Sequence, residues 1–123
     1  MAAFGYLYFQ QHFLKYTYLC LMSYSPAILT GTTNHLQRIF EVDNLPATNL
    51  EALEFKLAHL VQQLLRNDFS RLLHILYRID VDEQKVKQAM VDADEEIIAT
   101  RIARLILKRE IQKAEIRLRY SGR

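Results

Sequence analysis

Leu50 to Asp80 reads LEALEFKLAHLVQQLLRNDFSRLLHILYRID. Apolar residues recur at Leu50, Leu53, Leu57, Leu60, Val61, Leu64 and Leu65, then at Phe69, Leu72, Leu73, Leu76 and Ile79. Steps of three and four are the α-helical period, and they gather these side chains into one broad stripe. Glu51, Lys56, Gln62, Gln63, Arg66, Arg71 and Arg78 fall on the opposite face. A helix with such a stripe is not stable alone in water, so another helix or another chain must cover it. Asn67 and Asp68 are poor mid-helix residues and good caps. The stripe nevertheless keeps its phase from Leu65 to Phe69, and the expectation is one continuous helix over 50–79, roughly 45 Å long at the α-helical rise. Thr48 or Asn49 is the natural N-cap, and Thr48 with Glu51 fits the S/T-x-x-E capping box.

C-terminal to this stretch, Asp80, Asp82 and Glu83 suit a new helix start, where free N–H groups and the helix dipole favour negative charge. A short helix is expected over 83–91, with Val86, Ala89 and Met90 inward. Asp92 to Glu96, DADEE, forms a second acidic cap. The last helix is expected over 95–119, its apolar face built from Ile98, Ile102, Ala103, Leu105, Ile106, Leu107, Ile111, Ala114 and Leu118. The tail Ser121-Gly122-Arg123 is expected to fray.

On the N-terminal side, SYSPAILTGTTNH (residues 23–35) carries Pro26, Gly31, Thr32, Thr33 and Asn34 and reads as a linker. Thr33 or Asn34 would cap a short helix over 35–42 with Leu36, Ile39 and Phe40 as its apolar face, stopped by Asp43, Asn44 and Pro46. The fold class predicted is all-α: a small helical bundle with two long antiparallel helices (50–79 and 95–119), a short connecting helix and a less regular N-terminal segment. Residues 1–34 are read as an aromatic-rich segment and linker, and 35–123 as the helical domain.

Residues 1–24 differ in composition from the rest. Seven of the thirteen aromatic residues, Phe4, Tyr6, Tyr8, Phe9, Phe13, Tyr16 and Tyr18, stand within the first twenty, and Lys15 is the sole charged side chain before Arg38. A secretory signal lacks support, because no basic n-region precedes a clean aliphatic run. Gln10, Gln11, His12, Lys15 and Thr17 interrupt the apolar surface, so an integral span is not favoured. Met22 begins MSYSPAIL, an ordinary start for a soluble protein, and the expectation is that residues 1–21 derive from an upstream start codon and add nothing to the fold. A native amino terminus found at residue 1 or 2 would sink that expectation.

At 123 residues the chain suits one domain with one core, and its three glycines and two prolines favour helices over a turn-rich β architecture. A single cysteine, Cys20, builds neither an internal disulfide nor a Cys-based zinc site, which fits a reducing, cytoplasmic setting. The four histidines, His12, His35, His59 and His74, fall in no H-E-x-x-H or E-x-x-H pattern. Asp80/Asp82 and Asp92/Asp94 each begin a calcium-loop-like run, but neither is followed by the required Gly and terminal Glu. No phosphate-cradling Gly loop or G-x-S-x-G elbow is present. No cofactor is therefore expected, and the chain reads as non-enzymatic.

The net charge of +2 is small, but its distribution is uneven. Asp80, Asp82, Glu83, Asp92, Asp94, Glu95 and Glu96 crowd one stretch, whereas Arg101, Arg104, Lys108, Arg109, Lys113, Arg117, Arg119 and Arg123 fill the next. Arg101, Arg104, Lys108 and Arg109 lie at helical spacing and form a candidate nucleic-acid face. Acids at the start and bases toward the end of one helix also complement its macrodipole, and that explanation is preferred. The leading functional expectation is a protein–protein interaction or oligomerisation module, with Leu53, Leu57, Leu60, Leu64, Leu72 and Leu76 as the candidate interaction stripe and a partner protein or a second copy as its target. The alternative is a nucleic-acid-associated protein using the basic face.

Overall fold

The structure is a computed structural model that describes residues 25–121. The aromatic segment 1–24, with His12, Cys20 and the expected start at Met22, lies outside the described residues, as do residues 122–123 at the C-terminal end. Five α-helices and no strand make up the described chain: α1 (Pro26–Phe40), α2 (Leu50–Asn67), α3 (Phe69–Ile79), α4 (Glu83–Ala89) and α5 (Glu95–Ser121). The all-α bundle expected from the sequence is what forms.

Each helix begins on a short polar side chain that accepts a backbone hydrogen bond from the first turn. Ser25 accepts from Ile28 N, Asn49 from Ala52 N, Asp68 from Arg71 N, Asp82 from Gln84 N and Asp94 from Ile97 N. Such caps satisfy donors that the helix itself leaves free, each contributing roughly 1 kcal/mol. Asn49 rather than Thr48 caps α2, so the Thr48–Glu51 box does not set that boundary.

Two expectations are corrected. The 50–79 stretch is two helices, not one. Asp68 has φ −156° and ψ 73°, outside the helical region, and serves both neighbours. Its N–H donates to Leu64 O, closing α2, while its carboxylate and carbonyl accept from Arg71 N and Leu72 N, opening α3. The end of α2 lies at the start of α5, where Arg66 pairs with Glu95. The end of α3 lies further along α5, where Arg109 meets Asp80 and Lys113 Nζ donates to Ile79 O at 2.9 Å. From Glu95 to Arg109 is about 21 Å of helix. The chain therefore reverses at Asp68, and the apolar stripe keeps its phase because both arms bury against the same core.

The second correction concerns residues 26–34, whose composition reads as linker. They are the first turns of α1, which runs unbroken to Phe40 and so crosses residue 35. Ser25 and Pro26 supply an N-cap and a first-turn proline, a pairing that pre-organises a helix start. Thr32 and Thr33 are buried, and that burial offsets the poor helix propensity of Gly31-Thr32-Thr33-Asn34. The helix ends at Glu41, whose φ of 56° is left-handed. Leu45 N–H then donates to Gln37 Oε1 at 2.8 Å, and the Thr33 hydroxyl donates to Pro46 O at 3.4 Å, tying the following loop back onto α1.

The core gathers Leu36, Ile39 and Phe40 of α1, Leu53, Leu57 and Val61 of α2, and Leu72, Ile75, Leu76 and Ile79 of α3 around Ala99, Ile102, Ala103, Ile106 and Leu107 of α5. Val86 and Ala89 close it from α4, in agreement with the expected connector. α2 and α5 form the most extensive pairing and run antiparallel, since Arg66 meets Glu95 whereas Glu54 meets Arg104. Beyond Glu115, α5 is exposed to Ser121, including Leu118, although its spacing alone assigns it to the inner face.

Candidate functional surfaces

The leucine stripe serves this chain's own core. Leu53, Leu57, Leu72 and Leu76 are buried, and Leu60 and Leu64 pack partly buried against them. None of the four buried leucines offers a surface to a second molecule in this fold.

The basic residues of α5 lie in different surroundings from one another. Arg101 Nη1 donates to Ala89 O and Val91 O, clamping the end of α4. Arg104 Nε donates to Glu54 at 2.5 Å, where the glutamate is almost wholly enclosed. Arg109 donates to the Asp80 carbonyl and carboxylate and to Gln112. Lys108 is exposed and carries no ion pair among the described residues. Three of the four candidate phosphate contacts thus already hold the bundle's corners, and part of the acid–base asymmetry along the sequence is resolved within the chain.

A polar junction lies between α1 and α5. Glu110 has no exposure to solvent, yet its Oε2 stands 2.5 Å from His35 Nδ1 and its Oε1 2.9 Å from Lys113 Nζ. Lys113 Nζ also reaches Ile79 O, so one ammonium links the junction to the end of α3. Its approach to Oε1 has ion-pair distance without hydrogen-bond alignment, since Oε1 has no hydrogen-bond partner. The Thr32 hydroxyl, also fully buried, has no partner among the described residues. The sequence held a signal for Glu110: it stands four residues from Ile106 and four from Ala114, in phase with the buried face. A carboxylate so placed must find compensation, which Lys113 supplies as a charge and His35 as a hydrogen bond.

His59 stacks on Phe55 with ring centroids 5.4 Å apart, and His74 is exposed on α3. Among the described residues no group of three or more His, Cys, Asp or Glu side chains is placed to hold a metal ion. Among them, too, no helix is long and apolar enough to cross a membrane.

The surface that sequence reasoning missed is a flank of α3, next to its buried face. Phe69, Leu73 and Tyr77 are 45, 46 and 84% exposed and follow one another at four-residue steps, forming a single ridge. The inner side of the same helix carries Leu72, Ile75, Leu76 and Ile79, all buried. In FSRLLHILYRI, seven of the eleven residues are apolar or aromatic, more than one face can bury. That excess was the available signal.

No family model, no curated protein and no solved structure matches this chain.

Proposed function

We propose that the protein is a non-enzymatic helical module that works by protein–protein contact, and that the ridge Phe69–Leu73–Tyr77 on α3 is its contact surface. The observation that carries this reading is the exposure of three large apolar side chains in line on a helix whose adjoining face is already committed to the core. Single exposed apolar residues are ordinary, whereas an aligned set on one rigid element is the kind of patch that partners cover. The ridge takes this role from the leucine stripe, because Leu53, Leu57, Leu72 and Leu76 are enclosed and Leu60 and Leu64 pack against the core. A cytoplasmic setting accords with the lone Cys20.

The test is affinity capture of the tagged chain from its own host, with and without nuclease, using the natural sequence and Leu73→Glu. A protein that persists through nuclease treatment and is lost with Leu73→Glu is the expected result. If all co-purifying material disappears with nuclease, the contact-module reading fails and Lys108 with Arg117 and Arg119 becomes the surface to mutate.

A further inference from the structure

We draw no further inference here: the strongest candidate, the exposed ridge Phe69–Leu73–Tyr77 on the flank of α3, is the surface already assigned to the proposed function, and nothing in the structure shows what covers it.

Discussion

Along its first half α5 is gripped by α2 through apolar side chains, whereas near its middle its contact with α1 adds to the apolar packing of Leu36, Ile39 and Phe40 a carboxylate with no exposure to solvent. The two contacts work by different physics. On the α2 side, Leu53, Leu57 and Val61 join Ala99, Ile102, Ala103 and Ile106 in the core, and the ion pairs Arg66–Glu95 and Glu54–Arg104 stand toward the edges. Burial of each leucine removes apolar surface from water and contributes about 1.5–3 kcal/mol without demanding one orientation. On the α1 side, Glu110 lost its hydration on folding and finds compensation only where His35 and Lys113 reach its two oxygens. The apolar contact supplies stability. The ionic one supplies position, because a shift of α1 by one residue would leave a buried carboxylate without its imidazole.

The comparison can be broken from either side. Leu57→Ala should destabilise by about 4 kcal/mol, from lost transfer energy and the cavity left at a site with no exposure. Denaturant unfolding would read this as a lower midpoint at unchanged slope. Glu110→Ala should cost about 2 kcal/mol, from the lost charge-assisted contacts to His35 and Lys113, both of which keep some access to water while Lys113 also keeps Ile79 O. The two variants should differ in kind as well. If the junction positions α1, exchange protection in Glu110→Ala should fall first over residues 26–40, while Leu57→Ala should lower protection across α2 and α5 together. A loss spread evenly in both would remove the distinction.

Much of this fold was legible in the sequence because helical period and capping residues are local signals. The spacing over 95–119 matches α5 nearly to the residue, and the aspartates before Glu83 and Glu95 mark the starts of α4 and α5. Period alone reports which residues are buried, not where the chain turns. Asp68 could therefore reverse the chain inside an unbroken stripe, and its cap-forming chemistry was the better guide. Residues 26–34 escaped for the converse reason: Gly31, Thr32 and Thr33 are weak helix formers, and the helix they belong to packs on α5, at the far end of the chain. The basic face was legible as a pattern but not as a role, since the partners of Arg101, Arg104 and Arg109 lie on three other segments.

Gly31 allows a finer test of how α1 is held. A Cβ built at this position meets nothing within 4 Å, so alanine adds helix propensity without a clash. Gly31→Ala should stabilise by about 0.5–1 kcal/mol, seen as a higher melting temperature. The gain should persist in a Glu110→Ala background if local propensity and the ionic junction act independently. A gain that vanishes there would mean that α1 no longer forms without its buried pair.

The smallest effect belongs to the edge of the α2–α5 contact. Arg66 pairs with Glu95 across the start of α5, but their side chains are 62 and 39% exposed. Water screens such a pair and both long side chains lose rotamer freedom in making it, so Arg66→Ala should change stability by no more than about 0.5 kcal/mol. Glu54 and Arg104 form the same kind of pair further along α5, with the glutamate side chain 12% exposed, and there truncation of Arg104 leaves an enclosed carboxylate. Arg104→Ala should therefore cost distinctly more than Arg66→Ala, although the two pairs look alike in sequence. Chemical denaturation of the two variants side by side would decide it. Equal losses would mean that burial does not grade the ion pairs along α5, and the contrast with Glu110 would lose its basis.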